Sequence, residues 1–273
     1  MNNKEELVLL VLSCDAYNDL WDDFFNLKDR FWPECNYKWY LVTESMDYSR
    51  QGVEVIKCGK ELNWAGRFRK AVNLVDTSFI GVFLEDYFIT QRIDDSLISS
   101  LVEFMLKNNV SYLNMSNVFK SIINLKEKDY YADHLIRIPN HKRYGITTES
   151  SIWNKDFLLK KIGNNDYSAW QFEVDRCKEA ESVEGLGGLL LCDDRMPFHV
   201  SVVPVVVQGM YYPKAIKEFR KIGYIINVGD RKVMSFPQAM VFKMKIYFSN
   251  IKIGKTIIKK IASFLFGLKY FTK

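Results

Sequence analysis

The chain lacks most of the short motifs that announce a chemistry. Its five cysteines (Cys14, Cys35, Cys58, Cys177 and Cys192) form no CxxC pair, and its three histidines (His134, His141 and His199) form no HExxH. A disulfide framework and a zinc centre are both disfavoured by that count, and reduced thiols fit a cytoplasmic protein. GxGxxG, GxxxxGK[ST] and GxSxG are absent, which weakens dehydrogenase, P-loop and serine-hydrolase readings. Six prolines and fourteen glycines among 273 residues exclude collagen-like and low-complexity architectures. No uninterrupted apolar run approaches the ~18 residues of a membrane-spanning helix. The first residues have neither the basic start nor the small-residue cleavage site of a secretory signal.

What is present is material for a large core, with 48% hydrophobic and 15% aromatic residues. Residues 6–14 (ELVLLVLSC) form an apolar run of strand length, which suits a central parallel strand covered on both faces. Helical spacing follows over 17–30, ended by Pro33, and strands are predicted at 37–43 and 53–58. A helix over 64–75, a buried strand over 79–84, a helix over 97–106 and a strand over 110–115 complete a β-α-β-β-α-β-α-β order. That order predicts an α/β/α sandwich, Rossmann-like, around a mixed and mostly parallel sheet. Further on, the pattern predicts helices at 153–162, 168–180 and 214–221. A strand is expected over 199–207, interrupted by Pro204.

Charge is unevenly placed. The net charge is +5, yet residues 239–273 hold eight lysines and no acid, so residues 1–238 sum to −3. Projected as a helix, residues 252–268 place isoleucine, phenylalanine and leucine on one side and lysine on the other. This is the pattern of a basic amphipathic helix on anionic lipid. The chain is therefore divided into a body, 1–235, and a membrane-associating segment, 236–273. No nucleic-acid partner is expected, since the body is acidic and carries no recognisable nucleic-acid-binding signature.

In α/β sheets ligands sit beyond the carboxyl ends of the strands. Three predicted strand ends carry polar groups there: Ser13 with Asp15, Thr43 with Glu44, and Glu85 with Asp86. Glu85-Asp86 follows a wholly apolar strand and offers the one or two carboxylates that a Mn2+ or Mg2+ ion bound to a diphosphate uses. The commoner alternative is a solvated turn. His199 is a candidate to complete such a cation site. At 63–67, Asn-Trp-Ala-Gly-Arg opens a helix where Gly66 and Arg67 can approach a phosphate, or where an ordinary surface helix begins. Glu173 lies close to Trp170 and directly after Phe172 in sequence. In a partly apolar cleft it would suit a general base, although an exposed helical glutamate is the commoner case.

The order of these landmarks resembles bacterial nucleotide-sugar glycosyltransferases of the GT-A type, found in capsule, O-antigen and lipopolysaccharide assembly. The resemblance runs over roughly residues 5–215. It is carried by Trp64-x-x-Arg67-x-x-x-Ala71, Phe83-Leu84-Glu85-Asp86-Tyr87-Phe88, Ser151-Ile152-Trp153-Asn154-Lys155-Asp156-Phe157-Leu158 and Ala169-Trp170-Gln171-Phe172-Glu173. It implies a nucleotide-sugar donor bordered by Ser13, Asp15, Trp64, Arg67 and Trp170. Glu85 and Asp86 would stand where such enzymes carry Asp-x-Asp, and Glu173 would be the base of an inverting transfer. The acceptor would be a glycan or a lipid-linked oligosaccharide, met at the inner face of the cell membrane. Position 87 is tyrosine rather than a second aspartate, so metal dependence is open. Without a cation, Arg67, Lys70 and Arg195 would carry the diphosphate. Two other readings stand beside this one: a sugar-phosphate nucleotidyltransferase, and a non-catalytic nucleic-acid-binding or scaffold protein using the lysine-rich tail.

Overall fold

The computed structural model describes residues 6–116 and 126–250, the last six as backbone only. The predicted amphipathic helix over 252–268 lies outside the described residues. The chain divides into two compact units, residues 1–204 and 205–273.

Unit 1 is built on a nine-stranded sheet of order β3-β2-β1-β4-β8-β5-β9-β7-β6. β1 (Leu7–Leu12) is buried at every position and lies parallel between β2 (Lys38–Thr43) and β4 (Phe79–Leu84). β3 (Val53–Lys57) extends that parallel set at one edge. β5 (Val110–Asn114) and β9 (Leu189–Asp193) also pair in parallel. β8 (Ser151–Asn154) runs antiparallel between β4 and β5, and β7 (Leu135–Arg137) runs antiparallel to β9 and to β6 (Tyr130–Ala132). Only β7 and β8 are thus reversed against the other strands, which makes the sheet mixed and mostly parallel.

Alternation along β1 sends its side chains to two cores. Val8, Leu10 and Leu12 join Phe68, Ala71 and Val72 of α2 (Trp64–Leu74), together with Leu158 of α4 (Lys155–Ile162) and Phe172 of α5 (Ala169–Ala180). On the other face, Phe24 of α1 (Trp21–Phe31) packs edge-on against Trp39, Phe83 and Phe88. α3 (Asp95–Lys107) is tied to that face where the Trp32 indole donates to Asp95 at 2.9 Å. Aromatic pairs of this kind add about 0.5–1.5 kcal/mol each beyond their burial. Gly81 in β4 leaves room for Leu9, whose Cδ2 would lie 2.3 Å from a Cβ at that position.

The first five strands and three helices follow the predicted order, with one change at the start. Residues 15–20 form a 3-10 turn, kinked at Tyr17, before α1 begins at Trp21. Two other expectations are corrected. Trp153 does not open a helix, because Ser151–Asn154 pairs with strands on both sides and buries Ile152 and Trp153. The helix starts at Lys155, capped by the Asn154 side chain on the Phe157 N–H at 3.0 Å. Residues 199–207 do not form one strand. Val200 bridges Ile89, Val202 is exposed, and only Val206–Val207 pairs again beyond Pro204. The sheet takes Leu189–Asp193 instead. That strand follows Gly188 at φ +74, where a Cβ would meet the Ser111 Oγ at 2.6 Å.

In unit 2, β10 (Val206–Val207) and β11 (Met210–Tyr211) form a hairpin. Its two turn residues, Gln208 and Gly209, both have positive φ, as the twist of a two-residue hairpin requires. α6 (Pro213–Lys221) follows, opening on proline at its first position. α7 (Phe236–Asn250) comes later, and its Phe242 ring meets Tyr212 edge-on with centroids 5.4 Å apart.

Candidate active site at the carboxyl edge of the sheet

β1, β2, β4 and β5 end on the same edge of the sheet, and reversed β8 begins there. The polar residues just past those ends are therefore neighbours although they lie far apart in sequence. Two linked clusters result.

The first joins the ends of β1, β2 and β4. Asp15 accepts from the backbone N–H groups of Glu44, Ser45 and Met46, each at 3.1 Å, and from the Ser45 hydroxyl at 2.6 Å. Burial opposes its ionisation, but the Ser45 hydroxyl and these N–H groups outweigh that and hold Asp15 down at about 2. Glu44 returns the contact, accepting from the Asp15 N–H at 3.1 Å and from Arg67 Nη1 at 3.1 Å. Arg67 also donates to the Leu62 carbonyl at 2.7 Å. Ser13 is buried and receives the Trp21 indole N–H at 2.8 Å.

The second cluster joins β4, β5, the approach to β8, and α5. Glu85 is buried and Asp86 half-buried. Both carboxyls are pushed well above the usual range by burial, Glu85 also by the charge of Asp86 beside it. Burial, then the charges of Asp86, Glu149 and Glu173, drive the Tyr87 phenol far up. Glu173 Oε1 accepts from Thr148 twice, from its N–H at 3.1 Å and its hydroxyl at 2.9 Å. Glu149 Oε2 accepts from the Asn114 amide at 3.2 Å, and that amide also donates to the Tyr112 hydroxyl at 3.1 Å.

Glu85 and Asp86 follow the end of β4, Glu149 precedes β8, and Glu173 of α5 is held by Thr148, with Arg67, Ser13 and Asp15 on the β1–β2 side. Three local arrangements bear on the expected residues. The N-terminus of α2 offers no open phosphate cradle. Asp166 takes the N–H groups of Asn63 at 2.7 Å and Gly66 at 2.8 Å, and the Ala65 N–H goes to the Tyr167 carbonyl at 2.9 Å. Gly66 is small for the sake of that carboxylate, since a Cβ there would lie 2.8 Å from Asp166 Oδ1. Trp64 packs against Phe68 and Phe172, with its indole N–H buried and unpartnered. Trp170 is 58% exposed, so the sequence neighbours of Glu173 do not close an apolar cleft over it: Phe172 turns into the core and Trp170 outward.

His199 is half-buried. Burial alone lowers its imidazole, and its backbone carbonyl accepts from Thr90 at the N–H (2.9 Å) and at the hydroxyl (2.7 Å). Among the described residues no three His, Cys, Asp or Glu side chains are grouped to hold a metal ion, so Glu85, Asp86 and His199 do not form a three-ligand set. The cations expected to serve in place of a metal are engaged. Arg195 is forked onto buried Asp193 at 2.9 and 2.6 Å, and Lys70 donates to the Cys58 carbonyl at 2.8 Å.

Glu149, Thr148 and Asn114 were not singled out from the sequence. The available signal was Thr147-Thr148-Glu149, a polar group shortly before an apolar strand.

No protein-family model and no curated protein matches the chain. Among solved structures it is similar to the bifunctional IspDF from Campylobacter jejuni, at 14% identity, covering 62% of this chain and 47% of that one, with a TM-score of 0.36. It is also similar to S. aureus TarS, at 8% identity, covering 94% and 42%, with a TM-score of 0.42. A third is 2-C-methyl-D-erythritol 4-phosphate cytidylyltransferase from Thermus thermophilus, at 5% identity, covering 80% and 100%, with a TM-score of 0.44. The chain spans less than half the length of the first two.

Proposed function

We propose that the protein transfers a sugar from a nucleotide-sugar donor to a hydroxyl of a glycan or lipid-linked acceptor, with inversion. The observation that carries this reading is the row of acids at the sheet's carboxyl edge, Glu85 and Asp86 after β4, Glu149 fixed by Asn114 before β8, and Glu173 fixed by Thr148.

Glu173 is the general base. With Oε1 held by Thr148, its other oxygen is left to take a proton. As the acceptor hydroxyl loses that proton, its oxygen forms the new bond to the anomeric carbon. The bond from that carbon to the donor phosphate breaks on the opposite side, and the diphosphate departs with the electron pair. Positioned proton transfer of this kind contributes about 10²–10⁴-fold. Glu149, fixed by Asn114, orients a hydroxyl of the acceptor or donor.

A departing diphosphate needs positive charge. Around the site stand Glu44, Glu85, Asp86, Glu149 and Glu173, while Arg67 is already paired with Glu44. Two adjacent carboxyls whose burial disfavours their charge suit a hard cation, and a diphosphate-bound Mn2+ or Mg2+ takes one or two protein oxygens and keeps waters. Asp86, with Glu85 behind it, would hold such an ion, which would supply the charge the leaving group requires.

Product analysis with nucleotide sugars tests this. Release of a nucleoside diphosphate, abolished in Glu173→Gln, supports the proposal. Release of pyrophosphate from a nucleoside triphosphate and a sugar phosphate would replace it with nucleotidyl transfer.

A further inference from the structure

The boundary between the two units is also a boundary of charge. Residues 205–273 carry fourteen lysines and arginines against two acids, Glu218 and Asp230, for a net +12, which leaves −7 on residues 1–204. Half of that excess lies before residue 251, within the described residues, so the basic character belongs to unit 2 as a whole.

Unit 2 combines this charge with exposed apolar side chains. Ile225 and Phe236 are each 79% exposed, Met240 54% and Val233 45%. Their neighbours Ile226 and Met234 are buried and fix the backbone on which they stand. Tyr211 gathers these pieces. Its N–H donates to the Lys232 carbonyl at 2.9 Å, its carbonyl accepts from the Met234 N–H at 3.0 Å, and its hydroxyl donates to the Asn227 carbonyl at 3.1 Å. Beside it α6 bears a groove of about 450 Å³ lined by Lys217, Arg220 and Lys221 with Pro213 and Ile216. Among the described residues those three cations have no acidic partner within ion-pair distance.

We infer that unit 2 is a docking surface for an anionic lipid bilayer, with Phe236, Met240, Ile225 and Val233 entering the headgroup layer and the α6 cations meeting lipid phosphates. Charge complementarity and apolar exposure point to the same occupant. A nucleic acid would use the cations and could stack on Phe236, but stacking has no use for exposed isoleucine, valine and methionine, which an apolar bilayer boundary accommodates. No helix among the described residues is long and apolar enough to cross a membrane. This inference does not depend on the chemistry proposed for unit 1.

Co-sedimentation of the full chain with phosphatidylcholine vesicles, and with vesicles of equal phosphatidylcholine and phosphatidylglycerol, tests it. Binding is expected to the mixed vesicles alone. Lys217→Gln and Lys221→Gln should each weaken it by about fivefold, the loss expected for one charge near an anionic surface. Phe236→Asp with Met240→Asp should weaken it at least as much, with unit 1 still melting at the wild-type temperature. Equal binding to both vesicle types, or unchanged binding in both sets of variants, overturns the inference. So does single-stranded or duplex nucleic acid competing with the vesicles while the Phe236/Met240 double variant binds as wild type.

Discussion

Thr148 grips a single oxygen of Glu173 with two hydrogen bonds, 3.1 Å from its N–H and 2.9 Å from its hydroxyl. The backbone bond survives any substitution at 148 that keeps the N–H, while the hydroxyl bond does not. Thr148→Val therefore separates positioning from chemistry. The lost bond costs about 0.5–1.5 kcal/mol of stability. Turnover should fall about tenfold with little change in donor KM, against about 10²–10⁴-fold for Glu173→Gln. Steady-state kinetics of both variants checks this; a Thr148→Val effect on donor KM alone would contradict it.

The cap on α2 gives a prediction with a change of sign. Asn63, at the N-cap, makes no side-chain capping bond of its own, and Asp166 supplies the carboxylate from a loop about a hundred residues away. Gly66→Ala forces that carboxylate aside and should destabilise the chain, as should Asp166→Ala, by about 1–2 kcal/mol. With Asp166 already removed, the same alanine gains its ordinary helix preference over glycine, about 1 kcal/mol. Gly66→Ala is thus expected to destabilise the wild type and stabilise Asp166→Ala, as read by denaturant unfolding of the double-mutant cycle.

Proton linkage at the sheet edge runs in two directions. Glu85 and Asp86 keep their protons in the folded chain at pH values where the unfolded chain releases them. Their contribution to stability is therefore fully present below the unfolded carboxylate range, about 4, and is lost as pH rises through the raised folded values. Asp15, held at about 2, acts oppositely: its contribution is present above about 4 and is lost as pH falls toward 2. Glu85→Gln should remove part of the loss on the alkaline side. Its melting temperature should gain on wild type steadily as pH rises above about 4, and parallel melting curves across that range would count against the buried pair.

Asp15 and Glu44 lock the ends of β1 and β2 together, and Arg67 hangs from Glu44. Asp15→Asn replaces a charged acceptor of several N–H groups with a neutral one. The expected loss is about 1.5–3 kcal/mol at about pH 7, shrinking as pH approaches about 2. Comparing the melting of variant and wild type at the two pH values checks it.

The first half of the fold was legible because the strands from β1 to β5 are short apolar or alternating segments. The errors came where local pattern and sheet pairing compete. Ser151–Asn154 runs straight into α4, so Trp153 looks like a helical residue until two flanking strands claim it. The valines of 200–207 have the stronger strand propensity, yet Pro204 denies them a ladder and the shorter Leu189–Asp193 takes the place beside β5. The carboxylates 85 and 86 stand out in sequence because they follow a wholly apolar strand. Glu149 and Thr148 do not, because their partners Asn114 and Glu173 are brought to them only by the sheet. Asp166 was missed for the same reason.

The central claim is that the acidic sheet edge binds a nucleotide sugar. Thermal denaturation with UDP-, GDP-, CMP- and dTDP-sugars, each with and without manganese, tests it directly, because a ligand of the native state raises the melting temperature. The account predicts a rise with one nucleotide, enlarged by manganese and lost in Asp86→Asn. No shift with any donor, or the same shift in Asp86→Asn as in wild type, would contradict it.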